Sequence, residues 1–245
     1  MTEEYARALR GNILAIRETM AEAALRAGRR PEEILLCAAC KTRSPEEIRA
    51  SAQLPVDCFG ENHAQELERN WLADAYSHDE DGRKPCHFIG HLQTNKVKKV
   101  VGRAALIQSL DSERLADAVD ACAARLGLVQ DVLLEVNVGE EASKTGATFD
   151  GCRALLDHAA GKPNLRVRGL MTIPPVCDTE DEARRWFARM RGFFEELRAR
   201  AASADMDVLS MGMSGDYAAA ILEGSTMVRI GSAVYGPRFY PPKSI

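Results

Sequence analysis

Leu9, Ile13, Ile16 and Met20 recur at helical spacing between about Thr2 and Ala27, and Gly28 follows as a stop signal. Beyond it the period shortens. Brief apolar runs begin near Ile34, Cys58, His87, Leu106, Val132, Val167, Val208 and Met227, separated by helical or turn-rich stretches. The segment DSERLADAVDACAARLG offers Asp111 or Ser112 as a cap, an apolar face of Leu115, Val119, Cys122 and Leu126, and Gly127 as a terminator. The segment DEARRWFARMRGFFEELRARA repeats the logic, with Trp186, Met190, Phe193 and Leu197 on one stripe, and reads as a helix that packs on a barrel. Eight β-runs alternating with helices, with no Pro/Gly-rich linker, predict an α/β chain folded as a single (β/α)8 TIM-type barrel over 1–245. The leading helix is an addition to that barrel.

Composition narrows the partners. The 245 residues are 46% hydrophobic and 28% charged, an ordinary globular balance with ample material for a core. A formal net charge of −4 argues against nucleic-acid binding, which needs clustered Lys and Arg, and KVKKV is too short a run to reverse that. The N-terminal MTEEYARALRGN lacks a signal-peptide pattern, and no segment approaches the roughly 20 apolar residues of a membrane span. A cytoplasmic protein with no membrane partner is expected. Seven scattered cysteines do not make a disulfide framework and read as small buried hydrophobes.

Three stretches invite chemistry that the pattern does not support. DAYSHDEDGRKP, from Asp74 to Pro85, reads as a solvated loop in which His78 is idle. In CAAC, Cys37 and Cys40 have redox-motif spacing, but residues three apart on a strand face opposite ways, so no disulfide is expected. HFIGH places two histidines four apart on a strand running into Gly90, without the glutamate of a zinc-protease motif, and no metal site is expected.

LLCAACKTRSPEEI is different. If Ile34 to Lys41 is a strand, alternation sends Leu35, Cys37, Ala39 and Lys41 to one face. A helix then starts with Ser44 as N-cap, Pro45 in the first turn and Glu47 set for a capping box. Lys41 thus sits at the carboxyl end of a barrel strand, where barrel enzymes keep their active sites. A partly desolvated amine there has a lowered pKa and can attack an aldehyde. Taken alone, the stretch fits a lysine reaching to water better than a reactive one.

The far end of the chain shifts that balance. LSMGMSGDYAAAIL follows the seventh run with Gly212, Ser214 and Gly215 and opens a short helix, and MVRIGSAVYG brings Arg229, Gly231 and Ser232 to the end of the eighth. Loops after strands seven and eight are a recurrent phosphate site in barrels. An imine-forming lysine facing a phosphate cradle fits pyridoxal 5′-phosphate, which carries both an aldehyde and a phosphate.

The runs CKTRSPEEI, FGEN, HFIGHLQTNKVK, LLEVNVGEEASKTG, GLMTIPP and SMGMSGDYAAAILEGSTMVRIGSAVYG, in this order over nearly the whole chain, resemble the YggS/PROSC family of pyridoxal-phosphate homeostasis proteins. The resemblance implies a barrel like the N-terminal domain of alanine racemase, with pyridoxal 5′-phosphate as a Schiff base on Lys41. It also implies that Ser214 and Ser232, with amides near Met213 and Gly231, hold the phosphate, that Arg229 faces the pyridine nitrogen, and that Asn62 lines the ring pocket. The chain departs from the family in having Cys86 where Trp is usual, His63 where Tyr is usual and Ser232 where Thr is usual.

Two functions follow. One is a non-catalytic carrier that keeps the cofactor masked and supplies apo-enzymes through transient contacts. The other is a PLP-dependent amino-acid racemase, which needs an acid–base group opposite Lys41. Alanine racemase takes that group, a tyrosine, from another domain and subunit. This chain ends at Ile245 without such a domain; Tyr217, Tyr235 and Tyr240 are expected to pack or to lie in a solvated tail. The carrier, working as a monomer with no catalytic residue, is the expected reading. A class I aldolase using Lys41 would lack a chromophore, so colour separates it. Lys144, in EEASKTG, is a second strand-end lysine, expected in an exposed loop.

Overall fold

Eight parallel strands close on themselves in chain order: β1 (Leu35–Ala39), β2 (Cys58–Glu61), β3 (Cys86–Phe88), β4 (Leu106–Leu110), β5 (Gln130–Val136), β6 (Leu165–Thr172), β7 (Val208–Ser210) and β8 (Met227–Ile230). The structure is a computed structural model and describes residues 2–76, 83–141, 143–201 and 205–236. Each strand begins within two residues of the apolar run that predicts it, and helices separate the strands as the pattern requires. His78 and Tyr240 lie outside the described residues.

Closure of β8 onto β1 fixes the site. The two pair with Leu35 opposite Met227, Cys37 opposite Arg229 and Ala38 opposite Ile230. The loops after β1 and β8 therefore share one rim, which brings Lys41 beside Gly231 and Ser232 although 190 positions separate Lys41 from Gly231 in the chain (231 − 41).

Alternation along β1 builds two cores. Leu36, Ala38 and Cys40 pack outward under the helices, in the large cluster between barrel and helical layer. Cys37 points inward and joins Cys58, Leu106, Leu133, Met171, Val208 and Met227 in a smaller plug inside the barrel. Cys37 and Cys40 thus face opposite ways, and all seven cysteines are free.

The N-terminal helix, Glu3–Arg26, is capped by Thr2, whose side chain accepts from the Tyr5 amide. Its face of Leu9, Ile13, Ile16 and Met20 is buried against the outside of the barrel near the β8–β1 closure. Asn12 Nδ2 donates to Val234 O at 3.0 Å, and Arg17 reaches Pro55 O at 2.7 Å and Asp57 Oδ2 at 2.6 Å. The same Asp57 oxygen accepts from the Leu36 amide, so the helix is tied to the starts of β1 and β2.

Some expectations need correction. β1 ends at Ala39, not Lys41: Arg43 N donates to Cys40 O at 3.0 Å, which closes a turn and places Thr42 at φ 69°. On helix Glu180–Ala201, Phe187 is fully buried and Trp186 only partly, because the contact stripe is centred one position further on. Tyr76, in the stretch expected to be solvated, is 2% exposed because its hydroxyl donates to a buried carboxylate, Glu61 Oε1, at 2.6 Å.

Candidate functional site

A cavity of about 330 Å³ opens at the carboxyl end of the barrel. Its wall includes Lys41, Asn62, Met213, Ser214, Arg229, Gly231 and Ser232, so all seven residues singled out from the sequence converge on one space. Ala39, Arg43, Ile89, Ile173, Gly215, Tyr235 and Gly236 complete the lining. Among the described residues, three of the lining side chains are cationic, Lys41, Arg43 and Arg229, and none is acidic.

Lys41 is half-buried, in the turn between β1 and the helix Pro45–Ala52. That helix has the expected capping box: Glu47 N donates to Ser44 Oγ at 3.3 Å and Ser44 N to Glu47 Oε2 at 2.9 Å. Glu47 also takes Arg43 at 3.3 Å, which holds the guanidinium over the Tyr235 ring at 5.1 Å. Behind Lys41, Cys40 Sγ lies 3.3 Å from Tyr76 Oη and 3.5 Å from Gly60 O, so the segment is braced from outside the barrel.

Glu61 anchors that brace. Its Oε1 accepts from Tyr76 at 2.6 Å and from Asn70 Nδ2 at 2.7 Å, and burial pushes its carboxyl up to about 7. The next residue is Asn62. Gly90 packs so closely on it that a Cβ there would fall 2.1 Å from Asn62 O, which accounts for the glycine in HFIGH.

Arg229 rises from β8 and is 4% exposed. Nη1 donates to Ser210 Oγ at 2.6 Å and Nη2 to Thr172 O at 2.8 Å. Burial lowers its pKa, and the nearby carboxylates Glu135 and Asp216 act the other way. A guanidinium keeps its charge even so. Ser210 in turn donates to Gln108 Oε1 at 2.7 Å, and Gln108 Nε2 lies 3.0 Å from His87 Nδ1. The sequence reading missed Ser210, Gln108 and Thr172. Alternation on β7 marks Ser210 as a buried polar position, but its partner comes from β4 and only barrel closure brings the two together.

At the opposite end, Ser214 Oγ accepts from the Ala233 amide at 3.3 Å, joining the loops after β7 and β8. Gly231 keeps this corner open, since a Cβ on it would come within 3.3 Å of Ala39 Cβ and Ala39 O. The Met213 amide donates to Asp216 Oδ1 at 2.6 Å, so that N–H is already engaged, while Met213 itself lines the wall.

Lys144 lines a different cavity, of about 530 Å³, which shares Ile173, Met213 and Gly215 with the first. Its side chain is 29% exposed, paired with Glu141 Oε2 at 2.5 Å and donating to Pro174 O at 3.1 Å. An exposed loop was expected; the ion pair and the carbonyl hold the lysine down instead. Tyr235 lines the first cavity at 5% exposure, and burial pushes its phenol well above the ordinary value. Tyr217 packs against the outer core. Of the three departures from the family pattern only Ser232 lines the cavity, and it keeps a hydroxyl: His63 is exposed, and Cys86 is buried in the outer core. His91 is paired with Asp111 at the surface, at 3.5 Å, while His87 points into the barrel, so the two histidines of HFIGH share no site.

Comparison with known proteins agrees with this architecture. Residues 7–239 match the family described as alanine racemase, N-terminal domain. The pyridoxal phosphate homeostasis protein of Aquifex aeolicus is 41% identical over 223 residues, covering 91% of this chain and 95% of that protein. Its counterpart in Escherichia coli K12 is 37% identical over 239 residues, covering 95% and 97%. The solved structure of PipY from Synechococcus elongatus, with PLP bound, superposes with a TM-score of 0.75 at 31% identity, covering 89% of this chain and all of that one. An alanine racemase of Clostridium difficile, 16% identical with a TM-score of 0.66 over 97% of this chain and 58% of its own, shares the fold alone. This chain belongs to the family of pyridoxal phosphate homeostasis proteins, built on the alanine racemase N-terminal domain.

Proposed function

We propose that this protein binds pyridoxal 5′-phosphate in the 330 Å³ cavity, covalently through Lys41, and acts in intracellular PLP homeostasis as a carrier that supplies apo-enzymes. The observation that carries the reading is the lining itself: among the described residues, one lysine, two arginines, two serines and no acid around a space of cofactor size. A phosphorylated aldehyde needs an amine at one end and an anion cradle at the other.

The residues fit that group. Ser214 and Ser232 offer hydroxyls beside Gly215 and Gly231, where no side chain keeps an anion from the backbone. Ile89, Ile173 and Met213 supply apolar wall for a flat ring, and Asn62 a polar contact at its edge. Arg229, held by Ser210 and Thr172, would serve as the donor to the ring nitrogen. When bound, pyridoxal phosphate supplies an aldehyde that condenses with an amine and a ring that can delocalise negative charge. The relatives' names, pyridoxal phosphate homeostasis protein, and the PLP-bound PipY structure support the same assignment.

The lining also speaks against racemase chemistry. That reaction needs a second proton carrier across the substrate from the lysine. Among the described residues Tyr235 is the cavity's one phenol, and its raised pKa leaves it a poor base near neutral pH. The carrier reading is tested by loading the protein with pyridoxal phosphate, removing free cofactor and following reactivation of an apo-enzyme. Reactivation faster than by a matched amount of free cofactor in the presence of a trapping phosphatase supports a carrier; none at all, with the cofactor retained, overturns supply.

A further inference from the structure

Beneath the cavity, strands β1, β2 and β3 bring three soft donors together. Cys37 and Cys58 are register partners across β1 and β2, and His87 projects into the barrel from β3. Cys37 Sγ, Cys58 Sγ and a ring nitrogen of His87 all lie within 4.8 Å of one another, and all three residues are buried. Cys58 Sγ is 3.6 Å from His87 Nδ1. Ala39, at the end of β1, and Ile89, just past the end of β3, each two places beyond Cys37 and His87, line the cavity, so the cluster forms the layer under its floor.

We infer that Cys37, Cys58 and His87 form a buried site for a thiophilic d10 cation, with Zn²⁺ as its best-matched occupant. Zinc with two thiolates and an imidazole is one of the common donor sets, and thiolate and imidazole select it over hard cations. Zn–S bonds of about 2.3 Å put tetrahedral S···S edges at about 3.8 Å and S···N edges at about 3.5 Å. The 3.6 Å contact already has that length, and the 4.8 Å limit leaves the others at most about 1.3 Å longer than theirs. Charge fits as well: one Zn²⁺ displaces one proton from each thiol, so the ion with two thiolates and a neutral imidazole carries no net charge into the barrel.

The surroundings are shaped for it. Gly60 lies between Cys58 and the cavity, and a Cβ on it would fall 2.9 Å from Cys37 Sγ, so the missing side chain is what leaves that sulfur its place. Gln108 Nε2 lies 3.0 Å from His87 Nδ1 and donates to Met227 Sδ at 3.1 Å. When Nδ1 turns to a cation, the Gln108 amide retains Met227 and its Oε1 retains Ser210.

The site does not depend on what fills the cavity above, and its test needs no cofactor. The full-length protein, reduced and stripped with a chelator, is titrated with Zn²⁺ and with Co²⁺ as a coloured substitute. About one equivalent should bind tightly, and Co²⁺ should give intense thiolate charge-transfer bands with the strong visible absorption of a tetrahedral site. Cys58→Ser and His87→Ala should weaken binding by roughly tenfold or more, whereas Cys177→Ser, at a partly exposed cysteine elsewhere, should leave it unchanged. Should a variant fail to fold, alkylation of the reduced wild-type protein decides instead: Zn²⁺ should slow labelling of Cys37 and Cys58 but not of Cys177. Absence of a thiolate–Co²⁺ band, or binding lost only in Cys177→Ser, would overturn the assignment.

Discussion

Arg229 Nη1 donates to Ser210 Oγ at 2.6 Å, and the same hydroxyl donates to Gln108 Oε1 at 2.7 Å. A guanidinium that faces the cavity is thus held from below by a serine that is itself fully buried. Ser210→Ala leaves a buried N–H and a buried amide oxygen without that partner, which costs about 1–3 kcal/mol. Urea unfolding should show a loss of that size with an unchanged slope. An unaltered midpoint would mean that Thr172 alone positions Arg229.

The serine pair at the other end is read by comparing two ligands. A hydrogen bond to a charged group is worth about 1.5–3 kcal/mol, or roughly 10- to 150-fold in affinity. Ser214→Ala with Ser232→Ala should therefore weaken pyridoxal phosphate markedly and leave pyridoxal, which lacks the phosphate, nearly unaffected. Equal affinities in wild type and variant for both ligands would place the anion cradle elsewhere.

Arg229 also bears on catalysis. It donates and cannot accept a proton at neutral pH, so a ring nitrogen bound opposite it would stay unprotonated and the ring would draw charge less strongly. Together with the raised phenol of Tyr235, this predicts negligible turnover of amino acids. Incubation with single L-amino acids in deuterated water should show slow exchange at the α-position and no D-isomer. Rapid exchange with matching D-isomer, lost in Lys41→Ala, would make the protein a racemase.

Glu61 makes stability depend on pH. Burial raises its carboxyl from 4.5 to about 7 in the fold, so between these values the folded state holds the proton more tightly than the unfolded chain. The favourable contribution is complete below about pH 4.5 and fades as pH rises through about 7, a change on the order of 3 kcal/mol. Glu61→Gln keeps an acceptor for Tyr76 and Asn70 without the charge. It should flatten this part of the pH profile and be at least as stable as wild type at pH 8; a variant that keeps the wild-type slope would assign it to another group.

The legible part of this protein is the part written in short periods. Alternation at 35–39 separated Cys37 from Cys40, the SPEE signature located the helix after Lys41, and the glycines and serines near 212–232 marked the other side of the same rim. What the sequence hides is lateral. Cys37 beside Cys58, Ser210 beside Gln108 and Glu61 beside Tyr76 arise from register and closure, and no local pattern encodes which strand follows which around a ring. HFIGH shows both sides: its histidines were correctly kept apart, yet nothing in the motif says that His87 meets two cysteines from other strands.

The most direct test of the account is where the cofactor attaches. The protein loaded with pyridoxal phosphate should absorb in the visible, lose that band on borohydride reduction, and yield a peptide carrying the pyridoxyl group on Lys41. Lys41→Ala should fold but stay colourless. Lys144, paired with Glu141 in the adjoining cavity, should remain unlabelled at one equivalent of cofactor. A pyridoxyl group found mainly on Lys144, or a Lys41→Ala variant that keeps the band, would contradict the assignment.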